Sequence, residues 1–595
     1  MDPMHRIASL AAALSLLLML GAPPPPAHAQ QDPSEEPALP DIAPREIEIQ
    51  GTLEISLPSL QRQPLSGFNP PPRIPDIPQT RTPFVGDYTL DREDLPLQMP
   101  EPPGLQAQLD QPAPPLNGEL EAGGGRYFSR FAAGQLWLPL SPHETMTLGG
   151  DYQGSAGFEP FEARPDVDSP YDTFTAQAGL QSRRDDFSLN VDFEGFLDTY
   201  TLYGAQINAQ SPLSPSLLPQ PDRSGGHLMG SLDLQTHGSV ALGLRGRVSG
   251  TEYTTTLFSG TTDDERVQTE RRVHVGGDLT VPIGASEGRI DAMVEAAGLG
   301  ADAGFGDDVT AFDGGLNALL VTRPGLRVHV GGRFLAASVG PEARPRFTER
   351  RSARFFVPSF QVDWTATSTL SLFLQNQPAV QTHPLADLLE TNPYLFGDIG
   401  VQPALRTTDA EGGLRLFAGP VQLVARGGYR YSVARPYVTD APAASAADLY
   451  ADGIFAVEYG SARIIHAGAD VSLQRMGGVE VSIGGAFRNG QLVGRETAIP
   501  YFAPVTGHAV LSYAFADQRG LIQLTGRIEG TRYVDPSETT QIDPFMDVDV
   551  DASFDVTSSL GLIFELKNVT SGSLERWRQY PQPPLVVRTG LRVLW

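Results

Sequence analysis

Phe187-Ser188-Leu189-Asn190-Val191-Asp192-Phe193-Glu194 sets Phe, Leu, Val and Phe on one side of an extended chain and Ser, Asn, Asp and Glu on the other. Successive side chains of a strand point to opposite faces, so this stretch reads as a strand with one apolar and one wet face. The same period recurs to the end of the chain. Val479, Val481, Ile483, Gly485 and Phe487 alternate with Glu480, Ser482, Gly484, Ala486 and Arg488. Leu560, Leu562, Phe564 and Leu566 alternate with Gly561, Ile563, Glu565 and Lys567.

The connections say how these strands are joined. Short turns fall at 141–144, 183–186, 237–239, 283–286, 323–325, 367–369, 418–420, 475–479, 517–520 and 557–559. Between them lie longer polar or Pro/Gly-rich loops at 158–171, 204–224, 258–265, 301–307, 341–353, 383–404, 437–450, 493–506, 535–544 and 571–584. Only the first connection on that side, near Arg126–Arg130, is brief. Short–long alternation sends every second connection to the same end, the layout of an outer-membrane barrel with short periplasmic turns and long extracellular loops. The fold expected is all-β: a transmembrane antiparallel β-barrel of about 22 strands. Asp452 to Arg475 reads as either one long strand or two short ones. A propeller at roughly 40–45 residues per blade would need about eleven blades, above the usual range, and lacks this alternation of loop lengths.

Composition narrows the functions open to such a barrel. With 43 Lys+Arg against 70 Asp+Glu, the formal charge is −27. That disfavours sequence-independent nucleic-acid binding and docking on an anionic bilayer surface. Lys567 is the sole lysine, and there are no cysteines, so disulfides and thiolate metal sites are excluded.

Two segments precede the barrel. Arg6, the apolar run Ile7 to Gly21 and Ala27-His28-Ala29 form the charged, apolar and small-residue parts of a secretory signal, so residues 1–29 read as a cleaved signal peptide. Residues 30–117 form a Pro-rich arm with 19 prolines between 31 and 117. Proline fixes φ and removes a donor, so polyproline II and coil are expected there. Within the arm, Glu46 to Ile55 alternates as a short strand, a peptide suited to adding to a sheet edge, or a polar linker. The three parts are thus a signal at 1–29, the arm at 30–117 and the barrel at 118–595, and the expected address is the cell outer membrane.

Ile499-Pro500-Tyr501-Phe502-Ala503-Pro504, Glu529-Gly530-Thr531-Arg532-Tyr533, Leu566-Lys567-Asn568-Val569 and Trp577 through Tyr580 follow one another in the last third of the chain. Upstream stand Asn392-Pro393-Tyr394-Leu395, Gln402-Pro403 and Glu411-Gly412-Gly413. In this order, over about 200 residues, the pieces resemble the C-terminal barrel of TonB-dependent receptors, and 22 strands is the size of plugged outer-membrane transporters. The resemblance implies transport of a ligand or nutrient across the outer membrane. It also implies a TonB-type energy-coupling protein as partner. Such receptors carry a folded α/β plug in the barrel, which the Pro-rich arm cannot be, so a separate plug or partner protein is a further expectation. Leu591, Val593 and Trp595, alternating to an aromatic C-terminus, resemble the signal read by the barrel-assembly machinery.

No catalytic grouping stands out. His143, His227, His237, His274, His329, His383, His466 and His508 do not pair at metal-ligand spacing, and no HExxH, GxSxG or P-loop occurs. Neither an enzyme nor a cofactor is expected. The candidate lumen-lining residues are Asp547, Asp549 and Asp551, which share a face with Asp555 opposite Val548, Val550 and Phe554, together with Glu565, Arg588 and Arg592 on neighbouring strands. They form either a salt-bridged wall or a cation-attracting patch. Loops 204–224 and 383–404 are the expected lid or recognition elements. The alternatives to a receptor-like transporter are an open porin-like channel and a barrel scaffold anchoring a periplasmic or surface partner.

Overall fold

The computed structural model describes residues 117–595 except 163, 165, 208–219, 259–262, 284–285, 301–307, 324, 341–351, 397–398, 441–449 and 571–573. The signal segment and the Pro-rich arm up to 116 lie outside the described residues. The chain divides into two units, Met1–Val85 and Gly86–Trp595, and the barrel belongs to the second.

One antiparallel sheet of 24 strands closes on itself. Two of these, Ala379–Gln381 and Thr497–Ala498, are short ribbons within long connections, so the wall has 24 − 2 = 22 staves. The first stave, Gly118–Gly125, pairs with the last, Val586–Leu594, from Glu119↔Leu594 to Gly125↔Arg588. Asn117 and Gly118 both donate their backbone N–H to the carbonyl of Trp595, at 2.7 and 3.1 Å. Closure leaves no unpaired sheet edge, which a bilayer would not tolerate.

At one end the staves are joined by two to four residues, as at 142–143, 184–186 and 419–420. Gly477-Gly478 makes one of these turns, with φ of 62° and 86°. Positive φ at both positions of a two-residue hairpin is the type I′ turn, which follows the strand twist and which glycine adopts without strain. The other end carries the long connections. Two readings sharpen here. Phe455–Met476 is a single stave of 22 residues, and Tyr450–Asp452 pairs outside the barrel with Gln206–Ile207. The connection expected at 258–265 shrinks to 259–262, because Ala241–Phe258 and Asp263–Ile283 keep pairing up to Phe258↔Asp263.

The outward face is a belt of exposed apolar side chains, among them Leu228, Val248, Val275, Ile290, Leu316 and Phe356. Exposed apolar residues at every second position of adjoining staves are what a lipid-facing wall requires. No helix among the described residues is long and apolar enough to cross a membrane. The one α-helix there, Leu385–Thr391, belongs to the connection 377–403.

Candidate functional site: a loop dome above an ion-paired wall

The largest apolar core of this protein lies at its long-connection end and not inside the sheet. It gathers Val167 from 156–170, Tyr203 from 202–221, Leu385 to Val401 from 377–403, Tyr501 from 493–504, Val534 and Ile542 from 530–544, and Trp577 and Tyr580 from 568–585. Stave ends contribute Tyr253, Val438 and Phe455. Apart from the short ribbons Ala379–Gln381 and Thr497–Ala498, which extend the sheet, these connections pair their backbones locally. Arg532–Tyr533 pairs with Gln541–Ile542, and Glu575–Trp577 with Tyr580–Pro581.

Aromatic rings join the connections. Tyr394 of 377–403 stacks on Tyr580 of 568–585 with centroids 3.4 Å apart and planes at 17°. Tyr203 meets Tyr580 edge-on at 4.9 Å, and Trp577 lies 4.7 Å from Tyr501 and 5.4 Å from Phe455. Edge-on and tilted pairs at such 4.5–7 Å separations add about 0.5–1.5 kcal/mol each beyond their area burial. Burial pushes the Tyr394 phenol up to about 12 and those of Tyr203 and Tyr580 well above their usual value, so the cluster stays uncharged at neutral pH. Polar ties hold its margins. Tyr501 Oη and Arg578 both donate to Asp440, at 2.7 and 2.8 Å. Buried Arg532 pairs with Glu529 at 2.7 Å and donates to the Glu575 carbonyl at 3.1 Å.

Below the dome the wall is polar and paired. Among the sequence-selected residues, Asp551 accepts from Lys567 Nζ at 2.8 Å. Asp549 lies 3.9 Å from the same Nζ and accepts the Asn568 N–H at 3.0 Å. Glu565 pairs with Arg588 at 3.7 Å and Arg592 with Asp555 at 2.6 Å. Asp547 stands opposite Arg527 in register. All occupy the strand faces opposite exposed Met546, Leu562 and Phe564. Leu591, Val593 and Trp595 fall on the exposed face of the closing stave.

Several of these pairs share a construction that strand spacing explains. Arg592 and Asp555 sit on staves separated by a third, and the residue between them in register is Gly561. Next-nearest strands are about 9.5 Å apart, twice the interstrand spacing, so an acid and a base meet only if nothing projects between them. Asp291–Gly315–Arg333 repeats the pattern, with the pair at 2.8 Å. So do Glu411–Gly428–His466, at 3.2 Å, and Asp470–Gly484–His508, at 3.7 Å. A Cβ at Gly561 would lie 3.0 Å from Asp555 Oδ1 and 3.3 Å from Arg592 Nε.

Of the expected lid loops, 383–404 enters the dome core through Leu385, Leu388, Leu389 and Leu395; most of 204–224 lies outside the described residues, and its Ala205 packs with Leu202 and Ile454 in a separate cluster. The sequence reading missed that 493–504, 530–544 and 568–585 join the dome core. The aromatic runs Tyr501-Phe502 and Trp577 to Tyr580 in otherwise polar loops were the available signal. No group of three or more His, Asp or Glu among the described residues could hold a metal ion.

Comparison with solved structures places this architecture. The FrpB iron transporter from Neisseria meningitidis is similar over 81% of this chain and 81% of its own, with a TM-score of 0.61 and 13% identity. What is shared is the fold, a large closed antiparallel β-barrel. The ferric enterobactin receptor PfeA from Pseudomonas aeruginosa matches over 80% of this chain and 81% of its own, with a TM-score of 0.57 and 11% identity. The copper transporter OprC matches over 80% of both chains, with a TM-score of 0.57 and 12% identity. No family model and no curated protein matches the sequence.

Proposed function

We propose that this protein is an outer-membrane receptor-like transporter, akin to TonB-dependent receptors, that moves a small ligand or nutrient through a barrel closed at its long-connection end. The observation that carries this reading is the shared apolar core of the long connections standing over a polar, ion-paired wall. A passive pore has no use for a dome of buried aromatic rings across its mouth, whereas a transporter needs a closed state. The barrel fold held in common with FrpB, PfeA and OprC supports ligand transport as the class of activity. The bilayer belt, the signal segment at 1–29 and the closing stave with Leu591, Val593 and Trp595 support export, assembly by the barrel-assembly machinery and an outer-membrane address. Asp547, Asp549, Asp551, Glu565, Arg588 and Arg592 would line the ligand's route as a salt-bridged wall, and a TonB-type protein or a separate plug would couple to the short-turn end.

Single-channel conductance in planar bilayers tests the reading. The full-length protein is expected to be silent. A version lacking 31–117 that is also silent leaves closure to the dome, and one that conducts gives the arm that role. Large, steady conductance from the full-length protein refutes the closed transporter and leaves an open pore.

A further inference from the structure

The connection 377–403 is held differently from the rest of the dome. Three carboxylates on three consecutive staves reach its first half. Asp313 accepts the Val380 N–H at 3.0 Å, Glu295 accepts the Thr382 hydroxyl at 2.9 Å and Glu270 accepts the Leu385 N–H at 2.8 Å. All three are buried, at 3%, 3% and 1% exposure. At its second half, buried Arg223 donates to the Pro393 carbonyl at 2.7 Å and to that of Leu395, and Tyr459 Oη donates to the Gly400 carbonyl at 3.0 Å.

Each of the three carboxylates divides its oxygens in the same way. Glu270 gives Oε1 to Arg272 and Oε2 to the connection. Glu295 gives Oε1 to Arg272 and Oε2 to Thr382. Asp313 gives Oδ1 to Arg333, at 2.9 Å, and Oδ2 to Val380. One oxygen is thus always paired within the wall. A buried carboxylate stripped of all partners would be prohibitive, whereas one that keeps its arginine tolerates losing the other bond to water.

We infer that 377–396 is a built-in stopper with two permitted positions, seated on this carboxylate clamp or withdrawn from it, and that withdrawal is the step that opens the barrel. This rests on the closed-transporter reading above. Seated, the connection's orphan backbone N–H groups find the wall; withdrawn, they find water, and the wall falls back on Arg272 and Arg333. Because the stopper supplies Leu385, Leu388, Leu389 and Leu395 to the dome core, its withdrawal takes these side chains out of that core and removes the middle of the dome.

The absence of native cysteine makes a clean probe available. Ala386, 5% exposed on the stopper helix, is changed to cysteine in the full-length chain, and its labelling rate by a bulky water-soluble maleimide is measured in proteoliposomes. The clamp is then weakened by Asp313→Asn, Glu295→Gln and Glu270→Gln together. Asp278→Asn, a wall carboxylate paired with Arg245 and Arg289, is the control. Heat-dependent gel mobility reports that the barrel is intact. The expected result is labelling faster by about tenfold or more in the triple variant, the change that losing even one charge-assisted hydrogen bond produces, with conductance steps appearing and the control unchanged. Equal labelling in the triple variant and the control, with both barrels folded, overturns the clamp. Steady conductance of the unmodified protein with slow labelling at position 386 refutes the closed transporter but leaves the clamp standing. Silence with slow labelling in the triple variant refutes the clamp alone.

Discussion

The dome and the wall beneath it solve the same problem, the satisfaction of a buried surface, in opposite ways. The wall has a ladder: its backbone is paired stave to stave, and its inner side chains are free to be polar, so it spends them on ion pairs bridging over glycine. The dome has almost no ladder, and holds together through rings, apolar side chains and a few polar ties from the stave ends. The wall therefore depends on register and the dome on packing, and substitutions should separate the two.

The largest effect is expected at the dome's centre. Trp577→Ala removes the ring that contacts both Tyr501 and Phe455, at a cost of about 3–5 kcal/mol. Hydrogen exchange should show amides of 385–391 exchanging faster while those of 263–283 keep their protection; uniform loss across both regions would deny the separation. On the wall's outer face, Leu316→Arg places a guanidinium on the lipid belt mid-stave and should cost about 2–4 kcal/mol, read as a lower denaturant midpoint of the lipid-embedded barrel with unchanged exchange in the dome.

A smaller effect is tied to pH. His383, buried in the stopper, is pushed down to about 3 by burial and by the nearby Arg435, Arg272 and Arg406 guanidinium groups. A histidine lowered in the folded state opposes folding wherever the released state takes up a proton, so the seat loses stability as pH falls below about 6.5. By pH 5 the loss is about 2 kcal/mol. Maleimide labelling of the stopper, taken relative to a free thiol at the same pH because the reactive thiolate falls about tenfold per pH unit, should accelerate between pH 7 and 5, and His383→Gln should flatten that profile; a profile unchanged by the substitution would remove His383 as its source. The smallest effect is expected at the wall. Gly561→Val pushes a side chain between Asp555 and Arg592, a partly exposed pair worth about 1 kcal/mol or less. Asp555→Asn in the same chain should then cost nothing further.

The staves and their number were readable because alternation and loop length are local properties of the chain. The residues 187–194 state their own faces, and ten short turns fix which end each connection joins. The glycine-bridged pairs were not readable. Gly561 looks like any other glycine until register sets it between Asp555 and Arg592, and a shift of one residue would have turned all three to the other face. The carboxylate clamp was invisible for a similar reason: Glu270, Glu295 and Asp313 are spread over 44 residues of sequence and meet through three-stave adjacency and an inward connection. The dome was half readable. Aromatic runs in the late loops stood out, but which loops would share one core depends on the circular order of the staves.

The staves also differ greatly in length. Phe455–Met476 has 22 residues and Asp263–Ile283 has 21, whereas Gly118–Gly125 and Leu560–Lys567 have 8 each. At about 3.3 Å per residue and a tilt near 40°, the long staves rise about 55 Å along the axis and the short ones about 20 Å. At one end every turn has two to four residues, so the longer staves reach farther at the other, and the rim there is uneven. A solute drifting along the membrane plane meets a parapet on the tall side. On the low side exposed Phe128 tops the first hairpin, so the rim presents a different height to each side of its surroundings.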